Sequence, residues 1–313
     1  MVFGEINGRC GNQMFMYAAS RVLENLHGGG LAFNFYHIEQ KSINDKTWKD
    51  DLELFNVKKY RYESNSKKLV LIYGSRTQKM VYYIYSLVCR IPYRERPNFY
   101  KRQERLQPII NHFGIYDMVH GYYPIQKSKY KDQFICGTYE DSRFFNGIRK
   151  NLLDEFTAKA QPKTENDQLY NIIHDSESVC VSFRRGDFLS GGNNDLRNIC
   201  SKTYYEKAIQ TMKNIIPNAK FVFFSDDIQW VRDNCNFGVD SYYESGIDGV
   251  DEKLRLMSSC KHFIMSNSTF CWWAQYLSKN DDKVVISPDH WFNMPGYKHQ
   301  LIERDWILIN DKV

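Results

Sequence analysis

Residues 179–187 have the sequence VCVSFRRGD, in which a short apolar run ends directly on two arginines. The run from Val179 to Phe183 is typical of a strand that is buried on both faces of a parallel sheet. Similar runs recur at 220–224, 262–265 and 284–287, with helix-like stretches between them. This alternation predicts a doubly wound parallel α/β sheet in the second half of the chain.

The intervening stretches predict helices over 202–215, 228–234, 250–257 and 269–277. The first half opens in the same way: the sequence predicts a strand over 1–7, a helix over 12–26 and a second strand over 31–36. A long amphipathic helix is also predicted within 137–156, and a polar linker follows at 159–167. We therefore predict two α/β domains, with residues 1–160 in the first and residues 161–313 in the second.

Composition restricts the function classes. The 313 residues are 42% hydrophobic and 15% aromatic, which favours a folded chain with a sizeable core. A net charge of +5 is too mild to indicate a nucleic-acid partner but fits an anionic ligand. The eight cysteines form no CxxC pair or zinc-type cluster, so we interpret them as reduced core residues in a reducing compartment.

Three polar clusters each follow a predicted strand of the second half directly. Ligands of such sheets bind outside the carboxyl ends of the strands, so these clusters are predicted to line one edge of one sheet. They are Arg184-Arg185-Gly186-Asp187, Ser225-Asp226-Asp227 and Ser266-Asn267-Ser268-Thr269.

The arginine pair is the strongest functional signal. Guanidinium groups at the end of a buried strand cost desolvation energy unless they meet anions. A diphosphate would satisfy them, because arginine binds phosphate in a bidentate manner. Asp187 could then steer an arginine or take a proton from a reacting hydroxyl, and a purely structural Arg–Asp pair is the alternative.

The other two clusters have both functional and structural interpretations. Ser268 and Thr269 precede a helix, where they could cap its N-terminus and where free N–H groups could also bind a phosphate. Asp226 or Asp227 could accept hydrogen bonds from guanine or ribose, or cap the helix over 228–234. The chain contains no DxD and no HExxH motif, so we expect no bound metal.

The loop GRCGNQ at 8–13 opens the first predicted helix. It matches neither GxGxxG nor a P-loop. Its glycines would let a ligand approach the backbone closely, and its polar side chains could bind sugar hydroxyls. A tight turn with a helix cap is the alternative. The candidate residues on this acceptor side are Gly8, Arg9, Gly11, Asn12 and Gln13.

Residues 76–105 combine an apolar segment, MVYYIYSL at 80–87, with eight basic residues and two glutamates. An apolar helix beside a basic run can rest on an anionic membrane surface. The alternative is a core helix followed by a solvated basic loop. No run of apolar residues is long enough to span a bilayer.

Four segments, in chain order, resemble the motifs of the alpha-1,2-fucosyltransferase family, glycosyltransferase family 11. Residues 8–15 resemble its GRxGNQMF opening, and residues 184–188 resemble the core of its HxRRxD motif. Residues 223–231 resemble FSDDxxWV, and residues 254–273 resemble a block that ends in NSxFSWW. One departure is that Ser182 occupies the position of the motif's histidine.

The resemblance implies a GT-B fold, in which two Rossmann-like domains face a cleft and the C-terminal domain holds the donor. It also implies an inverting transferase that uses GDP-fucose without a metal or other cofactor. Arg184 would hold the β-phosphate, and Asp187 is our candidate for the base. The predicted donor contacts are Ser182, Arg184, Arg185, Ser225, Asp226, Asp227, Asn267, Ser268, Thr269 and Phe270.

The predicted reaction moves L-fucose from GDP-fucose to the 2-hydroxyl of a galactose-containing glycan. The alternatives are a transferase that uses another GDP-sugar or another acceptor hydroxyl, and a binding protein without turnover. We expect a cytoplasmic bacterial enzyme of surface-polysaccharide synthesis, peripheral at the inner face of the membrane through residues 76–105. Its expected partners are the donor and an oligosaccharide acceptor, for which a lipid-linked form is one alternative, and we expect no nucleic-acid partner.

Overall fold

The computed structural model describes residues 1–90, 96–186, 196, 199–293 and 299–310. Contacts within the chain divide it into two compact units, Met1–Phe156 and Thr157–Val313. We call them the N-terminal unit and the C-terminal unit. The division lies close to residue 160, where the sequence predicts a domain boundary. The assignment of acceptor and donor to the two units stays a prediction.

The N-terminal unit is built on a five-stranded parallel sheet with the order β3-β2-β1-β5-β4. Its strands are β1 Val2–Glu5, β2 Leu31–Asn34, β3 Tyr60–Glu63, β4 Ile115–Met118 and β5 Gln133–Gly137. Its helices are α1 Cys10–His27, α2 Tyr36–Ser42, α3 Leu69–Tyr73, α4 Arg76–Arg90, α5 Arg96–His112 and α6 Arg149–Glu155.

The C-terminal unit carries a six-stranded parallel sheet with the order β11-β10-β9-β6-β7-β8. Its strands are β6 Glu177–Phe183, β7 Ala219–Ser225, β8 Ser241–Tyr243, β9 His262–Ile264, β10 Val285–Pro288 and β11 Ile307–Ile309. Its helices are α7 Asp167–Asp175, α8 Lys202–Ile215, α9 Ile228–Asn234, α10 Val250–Ser259 and α11 Thr269–Leu277.

The predicted fold class is confirmed, because each unit is a parallel sheet with helices between its strands, as in a Rossmann-like domain. Pairs of such domains make up the GT-B fold that the sequence resemblance implies. Burial of the cysteines is confirmed for all but half-buried Cys200, and all eight are free thiols. In the described ranges, no helix combines the length and the apolar character that crossing a bilayer requires.

The long helix predicted within 137–156 is wrong. Two 3-10 turns, Ser142–Phe144 and Asn146–Ile148, precede the short helix α6. The Asp141 carboxylate accepts a hydrogen bond from the backbone N–H of Arg143, so the side chain fixes a local turn that competes with helix. The Asn146-Gly147 pair that follows has low helix propensity.

A buried acid ties the chain after α2 to helix α1. The backbone N–H of Asp51 donates to Gln13 Oε1 at 2.9 Å, and Asp51 is only 3% exposed. Burial raises the pKa of its carboxyl to about 6, although the charge of Lys49 opposes this shift. The carboxyl therefore favours folding while it is protonated, and this contribution is lost as the pH rises through about 6.

We expect Asp51→Asn to raise the free energy of unfolding at pH 8 by about 1–3 kcal/mol, because the amide stays neutral where the carboxylate is charged. The gain should fall to well under about 1 kcal/mol near pH 4, close to the ordinary carboxyl pKa of 3.8, because the unfolded chain then also binds much of this proton. Denaturant unfolding of the full chain at the two pH values measures the difference. Asp45→Asn is the matched control. Thr47 holds the pKa of that exposed carboxyl below its usual value, so its removal should not stabilise the protein at pH 8.

Candidate functional site

The candidate site is centred on the carboxyl end of β6. Strand β6 pairs with β7 so that Phe183 lies opposite Ser225, which brings the residues after each strand together. The guanidinium Nη1 of Arg184 lies 2.9 Å from Asp226 Oδ2, and about a quarter of the Arg184 side chain (26%) is exposed. The ion pair orients Arg184, whose side chain is partly exposed at the end of the strand.

Asp226 organises the turn that follows β6. Its Oδ1 accepts a hydrogen bond from the backbone N–H of Arg185 at 2.9 Å, and its Oδ2 accepts one from Gly186 at 3.0 Å. A Cβ on Gly186 would come within 2.8 Å of the same Oδ2, so a larger residue there would displace the carboxylate. The structure therefore makes Asp226 the support of the arginine turn, a role that differs from the predicted contact with guanine or ribose.

Arg185 faces helix α9. Its guanidinium carbon lies 3.2 Å from the centroid of the Trp230 ring, and its Nε lies 3.4 Å from Asp227 Oδ2. Asp227 also accepts a hydrogen bond from the backbone N–H of Trp230, and it is the N-cap of α9. The structure thus shows Asp227 as the cap of this helix. The guanidinium of Arg185 packs on the Trp230 ring.

Beneath the end of β7 lies a buried ion pair that sequence reasoning missed. Glu244 is fully buried, and its Oε2 lies 2.8 Å from Lys253 Nζ. Burial raises the pKa of Glu244, and the Lys253 charge opposes that shift. Glu244 Oε1 accepts a hydrogen bond from the Ser225 N–H, and Lys253 Nζ donates to the Ser225 carbonyl.

Ser225 has a structural role here, and its predicted contact with the donor stays a prediction. The side chain is buried, and its Oγ accepts a hydrogen bond from the Asp227 N–H at 3.0 Å. Glu244 directly follows β8, a strand that was not predicted from the sequence. The pairing of β7 with β8 brings this side chain next to Ser225.

The segment after β9 forms the N-terminus of α11 at the same edge of the sheet, because β9 is the other neighbour of β6. Ser268 Oγ accepts a hydrogen bond from the Phe270 N–H and caps this helix, as predicted. Thr269 and Phe270 are half-buried. Asn267 is buried, and its amide donates to the Trp291 carbonyl at 3.1 Å, so this side chain braces the loop.

Ser182 joins the two strands that carry these segments. Its Oγ lies 3.2 Å from Ser266 Oγ, its carbonyl accepts a hydrogen bond from Tyr205, and its side chain is buried. Ser182 was predicted to contact the donor. That contact stays a prediction; in the structure this hydroxyl lies inside the sheet and supports the edge from below.

The predicted acceptor-side loop has a mainly structural architecture. Gln13 is fully buried, its Nε2 donates to the carbonyls of Gly8 and Lys49, and its Oε1 accepts from Asp51. These bonds give the Gln13 amide a structural role in the loop, and its predicted contact with a sugar hydroxyl stays a prediction. Arg9 pairs with Asp45 at 3.0 Å and keeps about 39% of its side chain exposed.

The glycines and Asn12 of this loop have different environments. Gly8 adopts a φ of +80°, and a Cβ there would come within 2.6 Å of the Asn12 Cβ. Gly11 is buried inside α1, whereas Asn12 is half-buried. The predicted roles of Gly8, Arg9, Gly11 and Asn12 in acceptor binding stay predictions. Asp187, the predicted base, lies outside the described residues.

The arrangement suits an anion. One edge of the sheet presents the partly exposed guanidinium of Arg184 and the N-terminus of α11, and both attract negative charge. Among the described side chains, no group of three or more His, Cys, Asp or Glu could hold a metal ion.

Comparison with known proteins gives a family match. The model of glycosyl transferase family 11 matches residues 90–310, which is more than half of the chain. The O-antigen biosynthesis glycosyltransferase WbnK of Escherichia coli is 23% identical, and the match covers 96% of this chain and 98% of that protein.

Two further relatives match about half of this chain. An alpha-1,2-colitosyltransferase of Escherichia coli is 31% identical over 50% of this chain and 55% of its own. The galactoside alpha-(1,2)-fucosyltransferase 2 of Rattus norvegicus is 30% identical over 44% of this chain and 42% of its own. This chain thus spans about half the length of these two relatives.

Proposed function

The chain belongs to glycosyl transferase family 11, and from that premise we propose that it moves L-fucose from GDP-fucose to the 2-hydroxyl of a galactose-containing glycan. The observation that carries the proposal is the partly exposed guanidinium of Arg184 at the end of β6. It shares a sheet edge with the N-terminus of α11. A diphosphate is the part of the donor that such an edge binds best.

The proposed reaction is a single displacement. The oxygen of the acceptor hydroxyl forms a bond to C1 of the sugar while the bond from C1 to the diphosphate oxygen breaks. The configuration at C1 is inverted, and the hydroxyl proton passes to a base. Asp187 is our candidate for that base, since it follows the arginine turn directly in the sequence.

Negative charge grows on the departing diphosphate in the transition state. We propose that Arg184 and the first N–H groups of α11 stabilise this charge without a divalent cation. Because Asp226 already orients the guanidinium, little reorganisation is needed when the charge develops. The donor site is proposed to lie in the C-terminal unit.

The identity of the sugar is the point at which a second candidate arises. One relative is an alpha-1,2-colitosyltransferase, so a different deoxysugar on the same linkage is the alternative. The match to an O-antigen biosynthesis glycosyltransferase supports an acceptor that is a surface-polysaccharide precursor. We propose that this precursor is lipid-linked and that the transfer takes place in a bacterial cytoplasm.

A donor screen tests the proposal. The purified protein is incubated with a panel of GDP-sugars and galactose-terminated acceptors, with EDTA present or absent, and the product linkage is determined by NMR. We expect transfer of fucose to the 2-hydroxyl, inversion at C1, and the same rate in EDTA. Preference for another GDP-sugar would favour the alternative. GDP binding without turnover on any acceptor would indicate a non-catalytic relative and contradict the proposal.

A further inference from the structure

Helix α4 is apolar on two opposite faces. Its inner face packs on the sheet of the N-terminal unit: Tyr85 and Cys89 are buried in the core with Phe3 and Phe134, and Val81 and Tyr82 pack against that core. A helix that covers one side of a sheet ordinarily shows a polar face to solvent. The outer face of α4 breaks this rule.

The outer face is a stripe of large apolar side chains at positions i, i+3, i+4, i+7 and i+8, a spacing that keeps them on one side of the helix. We call this set the α4 stripe. Its exposed fractions are 57% for Met80, 61% for Tyr83, 53% for Ile84, 44% for Leu87 and 38% for Val88. Single exposed apolar residues are normal, whereas a contiguous patch of them marks an interaction surface.

The charge around the stripe is basic. Helix α4 contains Arg76 and Lys79 in its first turn and no acidic residue. Arg76 is exposed at the start of the helix, next to the first turn of the stripe. Helix α5, which packs on α4, adds exposed Lys101 and Arg105 and one exposed acid, Glu104.

We propose that the α4 stripe docks on the surface of an anionic phospholipid bilayer, with the helix parallel to the membrane plane. The apolar side chains would enter the boundary between headgroups and acyl chains, while the flanking basic residues would contact lipid phosphates. Helix α4 has 15 residues, fewer than the roughly 20 that a membrane-spanning helix needs, so binding is interfacial.

Charge decides between a bilayer and a second copy of the chain as the occupant. Two copies that met through this stripe would bring together two helices that carry basic and no acidic residues, and like charges repel. An anionic bilayer offers both an apolar interior and complementary charge. The inference does not depend on the identity of the donor sugar, but it would place the proposed transferase beside a lipid-linked acceptor.

Vesicle sedimentation tests the inference without any sugar substrate. The full chain is mixed with phosphatidylcholine vesicles that contain or lack phosphatidylglycerol. We expect the protein to sediment only with the anionic vesicles, and less at high salt. The double variant Ile84→Gln/Leu87→Gln should bind the anionic vesicles about tenfold more weakly or worse, because its apolar side chains no longer enter the bilayer.

The matched control is Ile247→Gln, which replaces an isoleucine that is 86% exposed in the C-terminal unit and should leave binding unchanged. Thermal unfolding checks that each variant is folded. Failure of the natural chain to bind anionic vesicles, or equal binding by the double variant, would overturn the inference. A dimer in solution that the double variant converts to a monomer would overturn it in favour of a second copy.

Discussion

Replacing Arg184 with alanine is expected to lower kcat/KM for sugar transfer by about 10²–10³-fold or more, with the fold intact. Arg184 is a partly exposed cation at the end of β6, and the proposed mechanism relies on its guanidinium to stabilise the leaving diphosphate. We expect a larger change in kcat than in KM, because the attraction between the guanidinium and the diphosphate is strongest in the transition state, when the C1–O bond breaks.

The measurement is steady-state transfer by the natural chain and by three variants. Arg184→Lys keeps the charge but loses the bidentate fork, so it should retain more activity than alanine does. Arg185→Ala is the matched control, because this neighbouring guanidinium lies over the Trp230 ring and should matter less for turnover. Near-normal activity of Arg184→Ala, or an equal loss at both arginines, would contradict the assignment.

Removing the Asp226 carboxylate is expected to have the second-largest effect, a fall in kcat/KM of about 10²-fold. Three donors converge on this carboxylate: the Arg184 guanidinium and the backbone N–H groups of Arg185 and Gly186. Without it, the arginine turn loses its support, and the guanidinium loses its fixed direction. Asp226 is therefore a positioning residue that acts through Arg184.

A comparison of nucleotides separates this role from direct recognition of the base. If Asp226→Ala disturbs only the arginine turn, GDP and other nucleoside diphosphates should all bind more weakly by a similar factor. If Asp226 reads guanine, GDP should lose its advantage over ADP and UDP. Asp227→Ala is the control. It removes the cap of α9, so it should cost about 0.5–2 kcal/mol of stability and much less activity.

The C-terminal half shows what local sequence can specify. The helices over 202–215, 228–234 and 269–277 have the predicted bounds, and the strands β6, β7, β9 and β10 match to within a few residues. Each of those strands is an apolar run that ends on polar or turn residues, so the pattern marks both its existence and its end. The convergence of three strand ends then follows from the parallel topology.

The partners of individual polar side chains could not be predicted in this way. Asp226 supports a turn about 40 residues earlier in the chain. The Gln13 amide hydrogen-bonds to the backbone of Lys49 and Asp51, which lie 36 and 38 residues later. Such pairings depend on which strands are neighbours and on loop conformation, and neither leaves a local signature. For the same reason the buried Glu244–Lys253 pair was not found.

The region 76–105 shows a different limit. Its apolar residues are compatible with a core helix and with a membrane-surface helix, because sequence alone does not tell which side of the helix faces the sheet. The structure separates the inner Tyr85 and Cys89 from the outer α4 stripe. Once the inner and outer residues are distinguished, the exposed apolar side chains on the solvent side of α4 can be recognised as one surface.

The central claim is that Arg184 binds the diphosphate of the donor in the place where many transferases use a cation. Calorimetric titration of GDP and of guanosine, each in EDTA, into the natural chain and Arg184→Ala tests it most directly. We expect Arg184→Ala to weaken GDP binding by at least about tenfold and to leave guanosine binding unchanged. Unchanged GDP affinity, or an equal loss for both ligands, would contradict the claim.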